Sequence, residues 1–438
     1  MRLQPTTTNV RFHKRLRPPD RQCDPNTVPE RLWSNDVFEL KNAIRDYHWG
    51  SASQISDLLD LPADTTPQAE MWLGAHPGCP SRISTDGTAL NDFIAQDPEH
   101  ILGAGVAQRY GRLPYLFKVL SATSPLSIQT HPTLQQAKER FAQETASGKA
   151  LDAADRNYRD DNHKPEMLFA LTDFVALSGF RQPAQIVEDL QVLEPHLPEQ
   201  SHRIVGELVA LLQGSDPLAS TFKHVLTAGE EISQLAQQIS HAVSASTELQ
   251  RNVQFAELVS INKVYPGDPG VLVALLLNLV FLEPGQAISL GAGNVHAYLR
   301  GLGIEVMANS DNVLRGGLTS KHIDVPELLD VTIAQPSPAP ILEPVALDTH
   351  DRLYKPDFEE FQLQVLDPTE PGLAADLQLH GAAVVLCTAG EFMVATREGE
   401  RSISRGQSLF ITATELPATA TLQGTVPGQL FATSAQID

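Results

Sequence analysis

A change of hydrophobic period along the chain limits the fold more than any other feature. Between about Gln182 and Val264, segments such as IVEDLQVLEPHL, HRIVGELVALLQG and EEISQLAQQISHAV carry apolar residues three and four apart, the spacing of one helix face. On both sides of this block the apolar residues come in short runs broken by turn residues, the pattern of strands. A β frame interrupted by a helical insertion accounts for both. The 31 prolines and 28 glycines supply the turns such a frame needs. At 438 residues the chain exceeds one ordinary core, so two or three domains are expected.

The first 36 residues read differently. Arg2, Arg11, Lys14, Arg15, Arg17 and Arg21 sit among Thr, Pro and Asn without an apolar period, as in a disordered tail or an over-extended start; a targeting peptide is the alternative. The fold is expected to begin near Val37-Phe38-Glu39-Leu40. The longest apolar stretch, Val271 to Leu282, is shorter than the roughly 20 residues of a membrane span. It contains Asn278 and reads as a buried helix running into a strand. One internal echo stands out: PGQAISLGAGNVHAYL (284–299) resembles RGQSLFITATELPATATL (405–422), with a turn glycine, Gln, a strand, a loop and another strand in each. Two related barrels would explain it, only the first keeping a histidine.

The formal charge of −21 repels phosphate polymers, so no nucleic-acid partner is expected, and no membrane partner either. A small phosphorylated ligand remains compatible if a few Arg and Lys converge locally. Cys23, Cys79 and Cys387 are widely spaced and lack a CxxC, which suits a reducing cytoplasm.

Side chains two apart on a strand share a face. In Ser127-Ile128-Gln129-Thr130-His131 the shared set is Ser127, Gln129 and His131; in Asn294-Val295-His296-Ala297-Tyr298 it is Asn294, His296 and Tyr298. In His163-Lys164-Pro165-Glu166 an extended chain sets Lys164 beside Glu166, and Pro165 favours that extension. If these strands line one barrel, Gln129, His131, Glu166 and His296 converge. Two imidazoles, a carboxylate and an amide oxygen suit a divalent ion such as zinc. By spacing alone, hydrogen-bonded structural histidines and a plain surface glutamine remain a full alternative.

Nearly the whole of 37–435 resembles the type I phosphomannose isomerases. The segments that carry the resemblance are FELKNAIRDYHWGS, EMWLGAHPGCPS, LPYLFKVLSATSPLSIQTHP, DDNHKPEMLFAL and LEPGQAISLGAGNVHAYLRGLGIEVMANSDNVLRGGLTSKHIDVPELL. It implies mainly β architecture with a helical insertion. In domains, it implies a catalytic, metal-binding cupin-type jelly-roll barrel (37–181 and 265–335), an α-helical domain (182–264) and a metal-free C-terminal cupin-like barrel (336–438). It implies one zinc ion per chain on Gln129, His131, Glu166 and His296. The implied reaction interconverts mannose 6-phosphate and fructose 6-phosphate through a cis-enediol(ate), in a monomer whose partner is a small phosphosugar.

That chemistry needs a proton carrier near C1 and C2, stabilisation of charge on oxygen, and cations for phosphate. The resemblance places Arg315 and Lys164 in the active site, with Arg315 facing anionic oxygens and Lys164 as proton carrier. It adds Glu305 and Asp311 for orientation or proton transfer, Lys321 and Lys118 for anionic groups, and Tyr298. Ser127 and Trp49 are candidates for sugar or phosphate contact, although Trp49 suits a core role equally. His163 is kept as a proton-relay neighbour, His76 reads as structural, and His322 as a loop residue. The loop Arg315-Gly316-Gly317-Leu318-Thr319-Ser320-Lys321 departs from the family pattern, which often has alanine after the arginine and proline before the lysine. Extra freedom for Arg315 and Lys321 is the expected result. A cupin oxygenase using iron or manganese, or a non-catalytic sugar-binding cupin, are the rival readings of the same donor set.

Overall fold

Eight consecutive residues of the Tyr115–Ala122 strand are buried, because alternate side chains serve two different cores. Tyr115, Phe117 and Val119 pack against Phe361, Leu363, Val384, Phe410 and Phe431 of the C-terminal half. Leu120 and Ala122 face the other way, into a barrel interior shared with Leu168, Phe174, Val280, Leu290 and Tyr298. Lys118 lies on this inner face and is only 5% exposed. The structure, a computed structural model, describes residues 37–62 and 66–437; the expected N-terminal tail lies outside the described residues. Among these residues the strands form sheets of eleven, eight and four members.

The thirteen-residue strand His296–Ala308 is the spine of the eleven-stranded sheet. Its later part pairs antiparallel with Tyr115–Ala122 on one side and with Glu166–Ala170 on the other. Its early part joins a second wall, pairing with Phe174–Phe180 and, at His296, with Gln129. The register shifts between Tyr298 and Arg300, and Gly301 follows at φ 133°. A Cβ on Gly301 would lie 2.4 Å from Cδ2 of Phe174, so only glycine lets the strand turn the corner at this distance. One strand thereby carries His296 on one wall and Glu305 on the other.

The expected helical block is present as Pro183–Leu193, Glu199–Leu212, Pro217–Thr227, Glu230–Ala245 and Val253–Val264. Its apolar faces form one core with Val175, Leu177, Ala297 and Leu299 from the outside of the barrel. The 271–282 stretch is a helix (Gly270–Leu276) running directly into a strand (Leu277–Leu282). Asn278 is tolerated there because its Nδ2 donates to the carbonyls of Ser178, Gly179 and Ser337. No described helix is long and apolar enough to cross a membrane.

In the C-terminal half the eight-stranded and four-stranded sheets enclose a core of Val385, Phe392, Val394, Ile403, Leu409, Ala420 and Leu422. The echo between the two halves has a physical basis. Gly285 and Gly406 both adopt positive φ, and the next residue, Gln286 or Gln407, accepts a bond from the backbone N–H of Glu283 or Ser404. Strands Ala287–Leu290 and Ser408–Ile411 start from these matched turns. Strand pairing crosses the expected boundary in both directions: Val37–Lys41 adds to the C-terminal sheet, Val37 opposite Ile411, and Ile341–Leu342 pairs with Ala287–Leu290 of the eleven-stranded sheet.

Gly301→Ala should lower the unfolding free energy by about 2 kcal/mol or more, from a forced contact with Phe174 added to a strained φ. Urea unfolding followed by tryptophan fluorescence measures it; an unchanged midpoint would show that the corner relaxes freely.

Candidate metal centre

Three strand ends converge inside the barrel. Glu166 opens Glu166–Ala170, His131 follows Ile128–Thr130, and His296 opens His296–Ala308. All three are at most 1% exposed. His131 Nε2 lies 3.3 Å from Glu166 Oε1, and His296 Nε2 lies 3.2 Å from Glu166 Oε2. Their donor atoms are all within 4.8 Å of one another. Both Nε2 atoms and Glu166 Oε2 are buried without a hydrogen-bond partner. Each such group costs about 1–3 kcal/mol if left bare, so the arrangement calls for an occupant.

The outer nitrogens define its kind. His131 Nδ1 is 2.8 Å from the carbonyl of Asn312, and His296 Nδ1 is 3.1 Å from that of Asn294. A carbonyl only accepts, so each Nδ1 carries the proton and each Nε2 turns a lone pair inward. Burial pushes the His131 imidazole down to about 4, more than Glu166 pulls it up, which keeps it neutral. Burial works against the Glu166 carboxylate, but Lys164 and His131 outweigh it and hold the group well below its usual range. Two imidazoles that turn Nε2 inward and one carboxylate fit zinc. Gln129 stands directly opposite His296 in the strand register, so the two side chains share a face, as the sequence pattern predicts.

A cavity of about 750 Å³ opens beside this cluster, with Lys164, Met307, Lys118, Trp72, His76, Asp311, Arg159, Arg315 and Lys321 in its wall. Lys164 Nζ donates to Glu166 Oε1 at 2.6 Å, and so ties the cavity to the buried donors. A neighbouring cavity of about 470 Å³ shares Arg315, Ser320 and Lys321 and is lined by Trp49, Ser127, Tyr265 and Asp268. This second space lies between the barrel and the end of the helical block. A further cavity, about 870 Å³, is lined by residues 195–266 alone and contains none of these groups.

Charge is unevenly placed around the wall. Lys118 is already compensated: Glu305 accepts at 2.8 Å, Glu70 lies at 3.5 Å, and the ammonium sits 5.3 Å from the Trp72 ring centroid. Its expected role toward ligand anions is therefore filled from inside the protein. Arg315 and Lys321 are the opposite case. Among the described residues neither has a carboxylate partner, and both are pushed below their usual values, by burial first and then by neighbouring positive charge. For Arg315 that neighbour is Arg159; for Lys321 it is Arg315 and Arg159. Three uncompensated cations facing one space favour an anion there.

The Arg315 loop is tighter than its glycines suggest. Asp268 Oδ1 accepts from the backbone N–H of both Gly270 and Leu318, at 2.7 and 2.8 Å. A Cβ on Gly317 would lie 2.5 Å from Cα of Gly270, so this glycine serves close packing. The expected extra freedom of Arg315 and Lys321 is countered by these contacts.

Other expectations are corrected. His163 bonds Glu360 of the C-terminal half at 2.6 Å and lines neither cavity, which does not suit a relay neighbour of the site. Tyr298 is 1% exposed inside the apolar barrel core and lines neither cavity, which does not suit a substrate contact; burial and the nearby Glu305 and Glu166 charges push its phenol well above its usual value. Glu305 reaches the wall only through Lys118. Asp311 does line the cavity, its backbone N–H bonded to Asp160 Oδ2. The sequence reading missed Arg159, Glu70 and Trp72 and set His76 aside as structural; His322 is in a loop, as expected, and lines the cavity together with His76. The EMW and HP residues were within quoted motifs, but nothing local marks which of them turn inward.

Residues 37–183 match the family model described as the phosphomannose isomerase type I catalytic domain. The mannose-6-phosphate isomerase of Salmonella typhimurium is 38% identical over 394 residues, spanning 88% of this chain and 97% of that protein. That of Rattus norvegicus is 34% identical over 433 residues, spanning 90% and 97%. A solved zinc-bound mannose 6-phosphate isomerase is 36% identical, with a TM-score of 0.82 over 92% of this chain and all of that one. With its donor cluster in the barrel and this likeness along almost its full length, the chain belongs to the type I mannose-6-phosphate isomerase family.

Proposed function

We propose that the chain interconverts D-mannose 6-phosphate and D-fructose 6-phosphate, moving a proton between C1 and C2 through a cis-enediol(ate). One observation carries this reading: a buried His–Glu–His donor set and three uncompensated cations open on the same wall, joined by Lys164. An oxygenase built on the same donors has no use for those cations.

His131, Glu166, His296 and Gln129 would hold zinc, which when bound supplies positive charge for the sugar oxygens at C1 and C2. Arg159 and Lys321 bind the phosphate, with Ser127 in the adjoining space. Arg315 sits between the two cavities and faces the oxygens on which negative charge develops. Lys164, bonded to Glu166 and open to the cavity, holds or releases the proton beside the reacting carbons. Asp311 orients hydroxyls from the opposite side. Burial raises the Glu305 carboxyl while Lys118 opposes it, and the pair stores a proton one side chain behind the wall. Trp49 packs beside Tyr47 at 5.6 Å and closes the smaller space.

The organisation that supports this is a catalytic barrel (37–181 and 265–335), a helical insertion (182–264) and a C-terminal barrel (336–438), with separate cores behind the helices and within the C-terminal sheets. We read the protein as a cytoplasmic monomer acting on a small phosphosugar; the free thiols of Cys79 and Cys387 suit a reducing compartment.

A coupled assay of purified protein should show turnover of mannose 6-phosphate that disappears on chelation and returns with added zinc. Full activity in metal-free protein would contradict the site. Arg315→Ala should lower kcat by about a hundredfold or more while zinc content stays near one per chain. Unchanged turnover would remove Arg315 from the reaction.

A further inference from the structure

His76 is 4% exposed and stands in the wall of the 750 Å³ cavity with Lys164, Asp311 and Arg315. Its ring is held on two sides. The Trp72 ring meets it edge-on at 4.9 Å, and the backbone N–H of Gly78 donates to Nδ1 at 3.1 Å. Position 78 has little room for a side chain, since a Cβ there would come within 3.2 Å of Nδ1 and 3.3 Å of Cε1. A backbone N–H can only donate, so Nδ1 keeps its lone pair and the neutral ring carries its proton on Nε2. That N–H lies on the cavity side, 3.6 Å from Asp311 Oδ1. The gap exceeds a hydrogen bond, so the proton is left for another oxygen.

We propose that His76 is a further substrate-contacting residue of the isomerase reaction, donating a hydrogen bond from Nε2 to the oxygen at C1 or C2 as the enediolate forms. The assignment rests on the isomerase reading given above. The surroundings favour the uncharged ring: burial lowers its proton affinity most, Asp311 opposes this, and Lys118, Lys164 and Arg112 lower it further. A neutral imidazole fixed in one tautomer is an effective electrophile for enediolate chemistry, because it polarises the carbonyl without surrendering its proton to a nearby carboxylate. The EMWLGAHPG segment thus supplies an anchored donor on the wall, distinct from the cations that attract phosphate.

His76→Phe and His76→Gln in the zinc-loaded full chain test this. His76→Phe should lower kcat for mannose 6-phosphate by about a hundredfold, as for loss of one preorganised donor, with KM changed by less than about threefold. Zinc content and the thermal midpoint should match the unaltered protein. His76→Gln, which restores an N–H, should recover about tenfold or more. A His76→Phe kcat within about twofold of the unaltered protein, or equally slow Phe and Gln variants, would overturn the proposal.

Imidazole ¹⁵N NMR of the unaltered holoenzyme gives an answer even if the variants do not fold. The His76 signals should report a neutral ring protonated at Nε2 from pH 6 to 8, and the Nε2 signal should shift on adding fructose 6-phosphate. A cationic ring, or a signal indifferent to the sugar, would refute the assignment. If the unaltered protein itself fails to turn over mannose 6-phosphate, the isomerase reading falls, whereas a failure confined to His76 leaves that reading standing.

Discussion

Three donor atoms that find no partner of their own organise the catalytic half of this molecule. His131 Nε2, His296 Nε2 and Glu166 Oε2 are sealed inside a barrel where water does not compensate them. Bare polar groups in such a place oppose folding, and a shared cation reverses the sign of their contribution. The scaffold pays attention to their orientation: backbone carbonyls at Asn312 and Asn294 fix both tautomers, and Lys164 fixes the carboxylate. The bent strand His296–Ala308 brings the two walls close enough for this, and Gly301 makes the bend possible.

Outside the donor cluster, charge is sorted by function. The chain as a whole is strongly acidic, at −21, yet Arg159, Arg315 and Lys321 face one space and, among the described residues, none of them is held in an ion pair. Cations so placed repel one another and are stable only beside an anion or open water. Lys118, a few ångströms from Glu305 and Glu70, shows what a neutralised lysine looks like in the same wall. This contrast separates cations that face open space from cations held in ion pairs more sharply than residue type does.

Much of this was legible in the sequence because it depends on short-range periodicity. Period-two alternation placed Gln129 beside His131 and Lys164 beside Glu166, and period 3.6 marked the helices of 183–264. Features that depend on distant pairings were hidden. Val37–Lys41 pairs with Ser408–Ile411, more than three hundred residues away, with Phe38 opposite Phe410. His163 is drawn to Glu360 across 197 positions. Asp268 restrains the Arg315 loop from the far end of the helical block. His76 was read as structural because its role depends on a bond from Gly78 and on which way the ring faces, neither of which leaves a mark in composition or spacing.

Two imidazoles, one carboxylate and one amide oxygen are expected to surround a single zinc ion. X-ray absorption at the zinc edge of the purified protein tests it directly. The expected result is nitrogen and oxygen alone around the metal at about 2.0–2.2 Å, with outer scattering from two imidazole rings. Sulfur at about 2.3 Å, or the signature of one ring or none, would contradict it.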